Sequence, residues 1–223
     1  MRFMHSRRRR SALTVCSAAA LTVAAPLLTA CGSDAHPGAA AVVQQDRITT
    51  AALQSQVTAV RDAQQAAPQG EQMVEGSGQL TRATLDGMIR DRIVRQAEKE
   101  AGVSVSRGEV QKMRATLEQQ AGGARQMAAT LLQQQAIAPG EIDDRIRMQI
   151  GVDKIAKKRG IDPQSPTGNA RLNAMFAKTS DTMRIDVNPR YGKWDTKKAT
   201  LGTEKEPWLR DLTGAKADRE QAI

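Results

Sequence analysis

The sequence predicts a mainly α-helical fold with short strands near its two ends. Apolar residues recur at helical spacing in six successive segments, and several of these segments are bounded by residues that favour helix termini. Over residues 184–188 the pattern changes to polar–apolar alternation, which is typical of a strand. A length of 223 residues is enough for one or two domains.

The first thirty residues have the pattern of an export signal. Residues 1–10 are basic, and residues 11–28 are apolar or small and carry no charge. Small residues then precede Cys31. A basic start, an apolar middle and a small-residue exit are typical of a secretory signal peptide, so residues 1–30 are predicted to be removed.

Leu28, Thr29, Ala30 and Cys31 resemble the lipobox of bacterial lipoproteins. The resemblance implies that Cys31 carries a diacylglycerol through a thioether and becomes the N-terminus after cleavage. Two or three acyl chains would then hold the protein on the extracytoplasmic face of the cell membrane. Two alternatives stay open: a plain cleavable signal with an incidental cysteine, and an uncleaved membrane helix, which Pro26 disfavours.

Charge and cysteine content exclude several kinds of site. The formal net charge is +9, but residues 1–30 hold five arginines and no acid, so the rest of the chain carries only +4. This value does not favour a nucleic-acid partner. Cys16 would leave with the signal, so no disulfide or cysteine-based metal site is expected. Without a phosphate loop, nucleophile elbow or metal-ligand spacing, neither a cofactor nor a catalytic residue is predicted.

The segment after the signal begins with a tether and a strand. Residues 31–40 are rich in Gly and Ala and predict a flexible linker. Residues 41–43 predict a short strand, and residues 44–47 a turn. Thr49 or Thr50 can cap a first helix that ends near Ala67, before Pro68.

Five further helices follow from apolar stripes and terminal residues. Gly102 suits the end of the second helix, and Ser106 with Glu109 forms a capping box that opens the third. Gly122–Gly123 separates the third helix from the fourth, and Pro139 begins the fifth. The predicted boundaries are residues 81–101, 107–121, 124–135, 139–159 and 168–180.

Charged residues of the helices are expected to face water. On the second helix these are Arg90, Asp91, Arg95, Glu98 and Lys99. Neighbouring acids such as Glu98 and Glu100, or Asp143 and Asp144, are therefore interpreted as solvated faces rather than as catalytic pairs.

After the strand at residues 184–188, residues 196–223 are charged and low in apolar content, which predicts a disordered tail.

Four segments in order resemble the SurA N-terminal-like family. The clearest is ATLDGMIRDRIVRQAEKEAGVSVSRGEVQKM, residues 83–113, a long helix, a Gly-Val turn and a capped helix. The other three are residues 41–57, 136–158 and 187–195. The resemblance implies one domain over residues 41–195, with a helical body whose first and last strands meet. It therefore implies a small two-stranded pairing of Ala41–Val43 with Ile185–Val187.

The resemblance implies chaperoning rather than catalysis. Such domains hold unfolded secreted proteins without nucleotide, so extended polypeptide clients are the expected partners. A parvulin isomerase domain has no room, because residues 189–223 are too few, and the two histidines, His5 and His36, lie in the signal and tether. Two other hypotheses stay open: an envelope assembly factor with one dedicated partner, and an isomerase remnant.

Four side chains are candidates for a client-binding groove. Met148 lies off the isoleucine stripe of the fifth helix, and Met127 lies on the fourth; a flexible methionine adapts to varied ligands. Tyr191 and Trp194 flank Gly192 just beyond the last predicted strand. The alternative is that the methionines fill gaps between helices and that the two aromatic side chains close an aromatic-poor core, which we prefer for Tyr191 and Trp194. For Met88, on the core stripe of the second helix, gap filling is also the preferred interpretation.

Overall fold

The computed structural model describes residues 38–68, 70 and 79–202. The signal, the lipobox with Cys31 and most of the tether lie outside these residues. The predictions for residues 1–37 are therefore not tested by the fold. The flexible tether was predicted to extend to residue 40, which was wrong at its end, because Ala39 and Ala40 are buried in a strand (Ala39–Val43).

The described residues form a mainly helical body, as predicted. Its six α-helices are α1 (Thr50–Gln65), α2 (Leu80–Ala101), α3 (Arg107–Gln120), α4 (Ala124–Gln135), α5 (Ile142–Lys158) and α6 (Pro166–Thr182). The boundaries follow the predicted terminal residues closely. Thr49 accepts a hydrogen bond from the amide of Ala52, and Gly102 ends α2 in the left-handed conformation with φ 62°. The largest difference is at Pro139, which begins a 3-10 turn (Pro139–Glu141) before α5.

The predicted capping box opens α3. The Glu109 amide donates to Ser106 Oγ at 3.3 Å, and Glu109 Oε2 accepts from the Ser106 amide at 2.9 Å. The same carboxylate contacts Lys154 Nζ of α5 at 2.5 Å. The ammonium of Lys154, followed by the hydrogen bonds from Ser106, lowers the pKa of Glu109 to about 2.

Because the pKa of Glu109 is lower in the folded state than in the unfolded state, its contribution to stability is present above the ordinary value of 4.5. It is lost as the pH falls through about 2. We therefore expect Glu109→Gln to lower the melting temperature at pH 7, and the difference from wild type to shrink between these two pH values. Thermal unfolding followed by circular dichroism checks this. An equal difference at every pH would contradict the assigned role of the carboxylate.

A three-stranded antiparallel sheet joins the start of the described chain to the segment that follows α6. Its central strand β1 (Ala39–Val43) pairs with β2 (Asp46–Thr49) on one side and β3 (Ile185–Val187) on the other. Ala41 lies opposite Val187, so the pairing that the family resemblance implied is confirmed. The sheet has a third strand because residues 46–49 turn back onto β1 instead of forming only a turn. The connection is short, and Gln44 adopts φ 57°, a conformation for which glutamine gives no sequence signal.

The predicted tail begins too early in the sequence. Strand β4 (Lys193–Asp195) pairs with β5 (Thr200–Gly202), so residues 196–202 belong to a folded hairpin. The Asp195 carboxylate accepts from the amides of Lys197 and Lys198 in the turn. The hairpin is held to α2 because the Leu201 amide donates to Asp86 Oδ1 at 2.7 Å. Residues 203–223 lie outside the described residues.

Helix α2 is the centre of the fold and packs against α1, α5, α6 and β1. Its Leu85, Ile89 and Ile93 are almost fully buried, as their stripe predicted. The core around them consists mainly of aliphatic side chains.

The prediction that Glu98 faces water was wrong. Glu98 is only 5% exposed and lies where α2 crosses α5. Its Oε2 accepts from Arg147 Nη2 at 2.5 Å, and its Oε1 occupies the space that a Cβ atom on Gly151 would need. The glycine lets the two helices approach, so the carboxylate is enclosed and paired across the crossing rather than solvated.

Candidate functional site

A partly open cleft of about 650 Å³ lies against one side of α2. The side of α1 that carries Gln56 and Val60 borders it, and so do the turn after α4 and the start of α5. The volume falls in the range of ordinary ligand sites, and four separate segments meet there. This cleft is therefore a candidate functional site in the part of the chain that the structure describes.

The floor of the cleft is apolar. It is made of side chains from every bordering segment: Val60, Leu80, Met88, Ala136, Ile137, Ala138 and Met148. Met88 and Met148 are only partly buried, whereas Val60 and Ala138 are buried. An apolar floor with two flexible thioethers offers non-directional contact to side chains of varied shape.

The rim of the cleft is charged and mostly paired. On α2, Arg90 Nε contacts Asp86 Oδ2 at 2.6 Å, and Arg95 Nε contacts Asp91 Oδ2 at 2.7 Å. Between the start of α5 and the end of α4, Arg145 Nη2 donates to Gln135 Oε1 at 3.1 Å. Such partly exposed pairs contribute little to stability, so their partners can be exchanged for those of a bound chain.

Glu141 has an unfavourable position for a carboxylate. It lies in the 3-10 turn on the cleft wall, where Gln56 Nε2 donates to its Oε2 at 3.2 Å. Burial, and then the negative charge of Asp144, raise the pKa of Glu141 above its usual value. Perturbed carboxylates concentrate at functional sites, although ion networks also produce them.

Two unusual backbone positions line the cleft. Gly87 lies in the interior of α2, and a Cβ atom there would meet no atom within 4 Å. Ala136 ends α4 with φ 51° and ψ 40°, a left-handed conformation that is unfavourable for alanine. A glycine within a strong helical pattern can mark close approach or open space, so Gly87 was the sequence signal for the cleft.

The structure places the two predicted groove methionines apart. Met148 lines the cleft. Met88, which we expected to fill core space, lines it as well while also packing against the main core. Met127 instead lines a second, smaller cavity of about 280 Å³ between α3 and α4, with Leu117 and Leu131.

Tyr191 and Trp194 are buried and line neither of these two cavities. Each is less than a tenth exposed and belongs to the main core cluster. Trp194 Nε1 donates to Ser180 Oγ at 2.7 Å, so its one polar atom is satisfied inside the protein. Their place is that of aromatic side chains closing an aliphatic core, rather than of a surface for clients.

The described residues add two further observations. Over residues 38–68, 70 and 79–202, no cluster of three or more His, Cys, Asp or Glu side chains is placed to hold a metal ion. Within the same ranges no helix is both long and apolar enough to cross a membrane.

Comparison with known proteins gives one match. The family described as the SurA-like N-terminal domain matches residues 1–156. These residues include β1, β2, the first four helices, the turn after α4 and most of α5, and so every segment that borders the cleft. No curated protein matches the chain significantly. No solved structure matches it significantly.

Proposed function

The chain belongs to the SurA-like N-terminal domain family, and we propose that it is a membrane-anchored holdase for unfolded secreted or envelope proteins. The family is chaperone-like, and the matched domain is the non-catalytic part of SurA-type proteins. The holdase activity, the clients and the membrane anchor are the parts of this proposal that go beyond family membership.

The observation that carries the proposal is the cleft with its apolar floor and exchangeable rim. An unfolded chain can place apolar side chains against Met88 and Met148 and leave its polar groups at the rim. Contacts of this kind are non-directional, so they favour broad and weak binding over selection of one sequence. A chaperone that releases its clients without nucleotide needs such binding.

The proposed location rests on the lipobox. Acylated Cys31 would hold the helical body at the outer face of the membrane, where newly exported chains emerge unfolded. Mass spectrometry of the N-terminal peptide from membrane fractions tests this part alone. A diacylglycerol adduct on Cys31 is expected, and an unmodified thiol on a cytosolic product would overturn the assignment.

We expect Gly87→Leu to weaken client binding without weakening the fold. The leucine side chain would enter open space in the cleft, and replacing a helical glycine favours α2 by up to about 1 kcal/mol. The concentration needed for half-maximal suppression of aggregation should rise about tenfold, which corresponds to about 1.4 kcal/mol of binding free energy. Light scattering of several chemically unfolded clients measures it.

Gly108→Leu is the matched control. Gly108 lies on α3, is exposed, does not line the cleft, and also has no atom within 4 Å of a Cβ position. This variant should suppress aggregation like the wild type. Equal suppression by both variants would show that clients do not use the cleft.

A dedicated envelope partner is the second candidate function. The rim favours it, because its carboxylates and guanidinium groups could select one complementary surface. Suppression of aggregation for none of several unrelated clients would favour this alternative over a general holdase.

A further inference from the structure

The described chain ends beside the cleft. Strand β5 stops at Gly202, and two of its residues are held by one side chain of α2: the Leu201 amide and Thr200 Oγ1 contact Asp86 Oδ1 at 2.7 and 3.3 Å. Asp86 also lines the cleft. The described chain therefore ends next to a residue of the cleft lining, and residues 203–223 follow it in the sequence.

The next ten residues have the composition of a cleft ligand. Residues 203–212 read TEKEPWLRDL, with three large apolar side chains at Trp208, Leu209 and Leu212. Pro207 disfavours a helical conformation at the residue before it. In composition, this segment therefore supplies the apolar side chains for which the cleft offers contacts.

The segment is long enough to reach the floor. From Asp86 to Arg95, the stretch of α2 beside the cleft measures about 14 Å at the rise of an α-helix. The six residues from Gly202 to Trp208 can span up to about 20 Å when extended. Trp208 can therefore reach the part of the cleft lined by Met148 without any change in the position of β5.

Charge also matches. The side chains of Arg90 and Arg95 on the rim are 46% and 45% exposed, although each is paired within its helix. Glu204 and Glu206 precede the apolar residues of the segment. An extended chain advances by about 7 Å over the two residues from Glu204 to Glu206, and α2 advances by about 7 Å over the five residues from Arg90 to Arg95. The two carboxylates can therefore meet the two guanidinium groups in register.

We propose that residues 203–212 of the same chain occupy the cleft, with Trp208 on its apolar floor. They act as a tethered competitor that a client must displace. That the segment competes with clients rests on the proposed holdase function. That the segment lies in the cleft does not depend on that function.

The tether makes a weak contact effective. A short flexible linker gives an effective concentration of about 1 mM. An intrinsic dissociation constant of about 0.1 mM would then leave the cleft mostly occupied by the segment, and one of about 1 mM would leave it half occupied. Apparent client affinity is then reduced about two- to tenfold. The segment would thus keep the apolar floor covered between clients while still permitting exchange.

Photocrosslinking of the purified full chain tests the occupancy. A benzophenone amino acid replaces Met148 in one variant and rim residue Arg90 in a second, so that the test survives if one variant fails to fold. Gln119, exposed on α3 and away from the cleft, is the control position. After irradiation and tryptic digestion, we expect residue 148 or residue 90 linked within the same chain to the peptide of residues 206–210, with no such link from residue 119. Three outcomes would overturn the proposal. They are a link to the peptide containing residues 69–79 instead, links only to a second copy of the chain, and no link at all.

The double variant Trp208→Ala/Leu209→Ala separates this proposal from the proposed function. It should lose the crosslink and bind an unfolded client two- to tenfold more tightly than the wild type. If the crosslink forms but neither chain binds any client, the holdase function fails and the occupancy stands. If clients bind equally to both chains, the segment is not a competitor.

Discussion

Replacing Arg147 with methionine is expected to lower the free energy of unfolding by about 3–5 kcal/mol, because it leaves a buried carboxylate without its partner. Glu98 is 5% exposed, its Oε2 is bound by Arg147 Nη2, and its Oε1 has no hydrogen-bond partner. The carboxylate lies against Gly151 at the crossing of α2 and α5, where even a Cβ atom on Gly151 would overlap it. Urea unfolding at neutral pH measures the loss.

The double variant Glu98→Leu/Arg147→Met is the control for this prediction. Replacing both members of a buried ion pair by apolar side chains of similar size is often neutral or stabilising. Most of the lost stability should therefore return. If Arg147→Met alone costs less than about 1 kcal/mol, the pair behaves as an exposed salt bridge and the crossing is not closed as described.

Replacing Trp194 with alanine is expected to cost about 3–5 kcal/mol, the usual range for removing a large buried aromatic side chain. Trp194 is 7% exposed and belongs to the same core cluster as Tyr191 and Leu201. The substitution leaves a cavity under β4 and removes the hydrogen bond to Ser180, which is fully buried. Thermal and urea unfolding both measure this loss in the free energy of unfolding.

Trp194→Phe and Ser180→Ala separate packing from hydrogen bonding. Each single variant breaks the bond, and a double-mutant cycle should give a coupling of about 1 kcal/mol. If Trp194→Ala unfolds like the wild type, the β4–β5 hairpin is not part of the cooperative unit. The core would then have to be closed without it.

Local chemistry explains which parts of the fold could be predicted. The capping box of Ser106 and Glu109 and the left-handed Gly102 depend on residues close in sequence, and the structure confirms both. The stripe of Leu85, Ile89 and Ile93 is likewise set by the period of the helix. The pairing of β1 with β3 joins distant segments, and it was predicted from the family resemblance rather than from the strands themselves.

The cleft and the buried ion pair could not be predicted in the same way. Glu98 lies among charged residues on its helix, and only the neighbouring helix, with Arg147 and Gly151, determines that it is enclosed. Met88 belongs to a core stripe by spacing, yet it lies where four segments leave open space. Strand β5 has a single buried leucine, and its order depends on a distant carboxylate, Asp86. These outcomes are decided by tertiary contacts that local periodicity does not encode.

Crosslinking in living cells from a photoreactive amino acid at position 148 tests the central claim most directly, because that side chain lines the cleft. We predict covalent adducts with many different exported polypeptides, and far fewer adducts when Gly87→Leu is present. A single recurrent adduct would contradict a general holdase, and the absence of any exported polypeptide among the adducts would contradict client binding in the cleft.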